Sequence, residues 1–71
     1  MSTFSKRLKE LRIEKNLTFK ELAKIIEVSP ATISKWEKQK ARTNLKKVCC
    51  LAKYFNVSLD YLLGLDNLKH K

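Results

Sequence analysis

Only one glycine, Gly64, and one proline, Pro30, interrupt the 71 residues of this chain. Hairpins depend on Gly-containing turns and on breakers spaced between short strands, and almost none of that chemistry is present. What remains is helices joined by short polar turns. The punctuation fits them. Thr18, Ser29, Asn44 and Ser58 are good N-caps, each ahead of an apolar run, while Asn16, Asn56 and Gly64 tolerate the left-handed backbone that ends a helix.

Five short helices follow from these marks. Phe4, Leu8 and Leu11 recur at three- and four-residue spacing among charged residues and predict a first helix over roughly 3–15, with the stem of Lys15 extending the apolar side. Thr18 opens the second, and Glu21 three residues on completes a capping box. Its apolar side is Leu22, Ala23, Ile25 and Ile26, and it ends near Glu27. Ser29 and Pro30 start a third helix over roughly 29–38, since a first helical position does not need the N–H that proline lacks. A basic connector, 39–43, leads to Asn44 and a fourth helix with an expected inner face of Leu45, Val48, Cys49, Ala52 and Phe55. Ser58 caps a last helix with Leu59, Leu62 and Leu63. The expectation is one all-α domain over 1–66 and a basic, frayed tail over 67–71.

Charge narrows the function. Sixteen Lys and Arg against seven Asp and Glu give a net charge of +9, which attracts phosphate polymers or anionic lipid, or simply solubilises the surface. No apolar run approaches the roughly 20 residues of a membrane span, and Met1 to Phe4 leads straight into charge rather than into a leader, so a cytoplasmic protein is expected. One long amphipathic helix, the mark of a membrane-surface peptide, is also missing. Cys49 and Cys50 are adjacent, which suits neither a structural disulfide nor, without a nearby His, a zinc site; His70 stands alone. The seven acids are scattered, and there is no Gly-rich phosphate loop or nucleophile–base constellation, so no enzyme, cofactor or metal is expected.

The second and third expected helices carry the sharpest pattern. Ala23 is small where two helices cross closely, and Leu22, Ile26, Val28, Ile33 and Trp36 let both share one core across a short turn. The spacing Ala23–Val28–Ile33–Trp36 resembles the helix-turn-helix of the phage repressor and Cro (XRE-like) family. RLKELRIEKNLTFKELA, VSPATISKWEK and LAKYFNVSLDYLLG resemble successive pieces of that family's domain, in order, over nearly the whole of Phe4 to Gly64. The resemblance implies a five-helix, lambda-repressor-like fold and a transcriptional regulator, a repressor in the first instance, that binds double-stranded DNA. Three residues depart from the pattern. Glu27 and Gln39 stand where the family usually has Gly, and Phe19 stands where it commonly has a Gln that touches phosphate.

The third helix reads by angle. With Ile33 and Trp36 inward, Ala31, Ser34, Lys35 and Lys38 turn outward, and Pro30 and Thr32 lie near the leading end. The resemblance places this face in the major groove, with Pro30, Ala31, Thr32, Ser34 and Lys35 at the bases. Lys35 suits guanine O6 or N7, Ala31 a thymine methyl, and Ser34 either donor or acceptor. Phosphate contacts are expected from Thr18, the backbone N–H groups of Phe19 and Lys20, and from Lys38, Lys40 and Arg42. Lys46 and Lys47 are ambiguous, being common residues for any exposed helix face. The resemblance also implies that Arg12 pairs with Glu37, its guanidinium holding the carboxylate bidentately and fixing the recognition helix against the first. It further implies a weak homodimer on a two-fold operator through Val57, Tyr61 and Leu65, with Tyr61 turned partly outward. The alternative is an antitoxin-like or accessory protein-interaction module on the same fold, which the weak base-reading chemistry of Pro30 and Ala31 keeps open.

Overall fold

The computed structural model describes residues 3–38 and 44–65. They form α1 (Thr3–Glu14), α2 (Phe19–Ile26), α3 (Pro30–Glu37), α4 (Leu45–Phe55) and α5 (Leu59–Leu63), with no strand among the described residues. The starts of α2 to α5 and the ends of α1, α2, α4 and α5 are set by the chemistry expected of them. Thr18 Oγ1 accepts from the Glu21 N–H at 3.0 Å while Glu21 Oε1 accepts from the Thr18 N–H at 2.9 Å, a complete capping box. Ser29, Asn44 and Ser58 each accept a backbone N–H from the first turn of α3, α4 and α5. Asn16, Glu27 and Asn56 take positive φ values of 56°, 60° and 57°. Gly64 closes α5 at φ 85°, and a Cβ there would lie 2.6 Å from the Cβ of Thr3, so both the backbone and the close approach of α1 exclude a side chain.

The helices surround one core. Leu8 and Leu11 of α1, Leu22, Ala23 and Ile26 of α2, Ile33 and Trp36 of α3, Val48, Leu51, Ala52 and Phe55 of α4, and Leu62 of α5 are all buried. α2 packs on α3 across the three-residue turn, and α1 bridges α3 and α5. Two polar contacts pin this arrangement. Ser5, buried on α1, donates through Oγ to the Trp36 carbonyl at 2.6 Å, satisfying a carbonyl near the end of α3. Lys47 on α4 donates through Nζ to the Ile26 carbonyl at 3.0 Å, placing a cation at the negative end of α2. That resolves Lys47 as a helix-closing residue. Phe4 meets the Trp36 ring edge-on, with centroids 6.4 Å apart.

Four expectations change. Leu45 is 62% exposed rather than inward, whereas Leu51, absent from the expected face, is fully buried. The inner face of α4 runs Val48–Leu51–Ala52–Phe55, and Leu45 sits at the first helical position, ahead of the turn where that face begins. Cys49 is half-buried at the edge and Cys50 exposed, both as free thiols. Ile25 is 42% exposed, because Leu22, Ala23 and Ile26 already fill the inward stripe of α2. Val57 is fully buried. The left-handed turn at Asn56 reverses the chain and lets the Val57 N–H reach the Ala52 carbonyl at 3.0 Å, which folds its side chain into the protein's own core. Val57 is therefore not a dimer contact. Residues 39–43, with Gln39, Lys40 and Arg42, and the expected tail 67–71 lie outside the described residues.

Glu27 carries the cost of its left-handed backbone without a side-chain reason for it, since its side chain is exposed. Glu27→Gly is expected to raise stability by about 0.5–1 kcal/mol, because glycine adopts this geometry freely. Chemical denaturation checks this, and a lower midpoint for the glycine variant would show that Glu27 makes a compensating interaction.

Candidate nucleic-acid interface

The site is built on the short turn between α2 and α3. Ser29 caps α3 twice over. Its Oγ accepts the Thr32 N–H at 3.3 Å and shares a hydrogen bond with Thr32 Oγ1 at 2.9 Å. With Pro30 at the first helical position, this start of α3 is conformationally fixed. Ile33 and Trp36 are buried beneath it. The opposite face carries Pro30, Ala31, Lys35 and Lys38, all exposed. Thr32 and Ser34 are half-buried on its flanks, and the Thr32 hydroxyl is engaged by the cap. The angular reading of this helix is thus reproduced for Ala31, Lys35 and Lys38, while Ser34, expected outward, is half-buried like Thr32.

α2 begins beside this face. Its capping box occupies the N–H groups of Thr18 and Glu21, and among the described residues no acceptor takes those of Phe19 or Lys20. Those two donors and the exposed Lys20 side chain lie where the positive end of α2 meets solvent. Phe19 is half-buried, its ring lying 4.5 Å from the Arg12 guanidinium carbon.

Arg12 is the centre of the arrangement. Its Nε donates to Glu37 Oε2 at 2.7 Å and its Nη2 to Glu37 Oε1 at 3.2 Å, the bidentate pairing expected of it. Its Nη1 donates to the Leu17 carbonyl at 2.8 Å. One planar group therefore joins α1, the turn before α2 and the end of α3. Glu37 is only 6% exposed, so its carboxylate has little water to replace a lost partner.

At the far end of the domain, Arg7 covers Tyr61, with its guanidinium carbon 4.0 Å from the ring centroid, and donates to the Tyr61 carbonyl. Tyr61 is half-buried against the core, while Leu65 is 75% and Leu63 37% exposed. Tyr61 is thus partly outward, and Leu65 is exposed.

The helix-turn-helix family profile covers residues 8–62. The chain belongs to the helix-turn-helix family. It is 42% identical over 65 residues to the HTH-type transcriptional activator BcrR of Enterococcus faecalis, covering 92% of this chain and 32% of that protein. It is 33% identical over 69 residues to the HTH-type transcriptional regulator ImmR of Bacillus subtilis (strain 168), covering 97% of this chain and 54% of that one. The chain thus spans about a third to just over half the length of the curated relatives it matches. Among solved structures, it superposes on the P22 c2 repressor in complex with a synthetic operator with a TM-score of 0.83 at 29% identity, over 93% of this chain and 100% of that one. It also resembles the LexA SOS-response transcriptional repressor from Eubacterium rectale, with a TM-score of 0.80 at 38% identity, over 86% of this chain and 65% of that one. The five-helix architecture of this helix-turn-helix domain is therefore that of phage repressor DNA-binding domains.

Sequence reasoning missed two positioning residues. Ser5, flanked by charge and small, gives no signal that it is buried. Leu51 was legible from its four-residue spacing to Phe55 but was overlooked beside the Cys pair.

Removing one partner of the Arg12–Glu37 pair leaves the other uncompensated. Arg12→Met is expected to cost about 3 kcal/mol of stability, and Glu37→Gln less, because a neutral amide still accepts one guanidinium N–H. A double-mutant cycle by thermal unfolding measures the coupling, and additive losses would remove the pair as the fixture of α3.

Proposed function

We propose that this domain is a sequence-specific double-stranded DNA-binding transcriptional regulator that lays the exposed face of α3 in the major groove. The observation that carries this reading is the rigid, cationic face of α3 beside the free N–H groups of α2, on a fold shared with a repressor solved on its operator. In this reading Lys35, Ala31, Ser34 and Pro30 face base edges, with Thr32 contributing through its methyl, since its hydroxyl serves the cap. Thr18, the N–H groups of Phe19 and Lys20, and Lys38 meet the sugar-phosphate backbone, joined by Lys40 and Arg42 of the connector. The domain comprises residues 1–66, acts in the cytoplasm, and needs no cofactor. Whether it represses or activates depends on where its operator lies, and the named relatives include both kinds of regulator. Among the described residues there is no cluster of potential metal ligands, and no helix is long and apolar enough to cross a membrane.

Lys35→Ala tests the groove assignment. It is expected to weaken binding to the preferred site by about 1–3 kcal/mol while leaving binding to random duplex nearly unchanged. Equal losses on both DNAs would make Lys35 a phosphate contact instead.

Assembly as a weak homodimer on DNA rests on the exposed apolar end of α5. With Val57 buried, the contact falls to Leu65 and the uncovered edge of Tyr61. Such an interface is small, and the DNA supplies the proximity that it lacks. Leu65→Asp is expected to abolish cooperative binding to a symmetric operator while leaving the unfolding temperature and half-site affinity unchanged. Unchanged cooperativity would place the two-fold contact elsewhere.

A further inference from the structure

Between α1, the start of α2 and the end of α3 lies an open cavity of about 480 Å³, lined by Lys9, Arg12, Phe19, Ser34, Glu37 and Lys38. Its chemistry divides into a neutral floor and a cationic rim. On the floor, both Glu37 oxygens are held by Arg12, and the same guanidinium lies over the Phe19 ring. The ion pair therefore contributes a near-cancelled charge to the cavity. On the rim, Lys9 comes from α1 and Lys38 from the end of α3, both exposed and neither with a partner among the described residues. Ser34 adds a half-buried hydroxyl to the lining. Ser34 and Lys38 are four residues apart on one edge of α3, so the cavity opens beside the face already assigned to DNA.

We propose that this cavity seats one DNA phosphodiester, gripped by Lys9 and Lys38 from opposite walls, and that Lys9 brings α1 into the DNA interface. The proposal deepens the reading of the domain as a DNA-binding module and rests on it. Two lysines that line one cavity from α1 and from the C-cap of α3 can share a single compact anion, and Ser34 can donate to one of its oxygens. The neutral floor matters as much as the rim. A Glu37 without its arginine would repel the phosphate, so the pair that fixes α3 also permits the anion to sit beside it. Phe19 gives the seat an apolar side, consistent with the deoxyribose that flanks each phosphate.

A neutral-backbone scan tests this. A selected duplex is prepared with a single methylphosphonate at each position in turn and titrated with the wild-type chain, Lys9→Met and Lys38→Met. Lys9 is exposed and without a partner among the described residues, so its variant is expected to keep the wild-type unfolding temperature. The expected result is one phosphate per half-site whose neutralisation weakens wild-type binding and weakens each variant less, because each variant retains one of the two ammonium groups. With that, the slope of log affinity against log salt should flatten by about one unit in Lys9→Met. Penalties that are equal in wild type and Lys9→Met at every position, on a duplex the wild type does select, would overturn the seat and leave the DNA-binding reading intact. Failure of the wild type to select any duplex, or to show salt-dependent binding, would overturn both.

Discussion

The pairing of Arg12 with Glu37 is the constraint on which the orientation of α3 and its outward face depends. A carboxylate at the end of α3 is almost fully removed from water, and only a donor of matching shape makes that tolerable. The guanidinium meets both of its oxygens, spends its remaining reach on the Leu17 carbonyl, and stacks over Phe19. The end of α1, the turn into α2 and the end of α3 are thereby tied at one point. Ser5 makes the second tie from α1 to the same end of α3, through the Trp36 carbonyl. The apolar core determines that α3 packs. These two polar ties determine its rotation and tilt, because a hydrogen bond is directional where hydrophobic contact is not.

Rigidity at the other end of α3 has a different origin. The Ser29 cap and Pro30 define the first turn locally, with little help from the rest of the fold. α3 is only eight residues long, too short to be stable alone, so its outward side chains are presented by a scaffold that holds both ends. Substitutions on the outward face are therefore expected to leave the fold intact. Pro30, Ala31, Lys35 and Lys38 are exposed and bear none of the core.

The helices and their ends were readable from the chain because capping is local chemistry. Thr18 with Glu21, Ser29 with Pro30, and the two asparagines at left-handed positions each act within a few residues, so sequence spacing carries the signal. Glu27 was the informative exception. A residue that dislikes left-handed backbone still adopts it, because Val28 must reach the core on the other side of the turn and its N–H closes on the Ala23 carbonyl at 2.9 Å. Tertiary contacts were less legible. The inner face of α4 was shifted to include Leu45 and omit Leu51, since periodicity gives the direction of a stripe but not where the neighbouring helices end. Val57 read as surface because the reversal at Asn56 hides in a single dihedral angle. In the sequence Lys9 is one of the charged residues between the apolar positions of the first helix. Its only signal was its place three residues before Arg12, on the same side of α1.

The charge of the chain acquires a location in this account. The net charge of +9 is not spread evenly in its consequences, since Lys47 closes α2 and Arg7 covers Tyr61, while Lys9, Lys20, Lys35 and Lys38 face solvent around α3 and the start of α2. A face of that kind binds any duplex at low salt, and the central claim is that it also reads sequence. Enrichment from a random duplex pool at physiological salt measures that directly. The account predicts a two-fold-symmetric consensus whose half-sites lie about 10 base pairs apart, the spacing that two recognition helices on one side of the duplex require. A pool that emerges without any consensus would contradict it, and would leave a basic helical domain whose contacts with DNA carry no information.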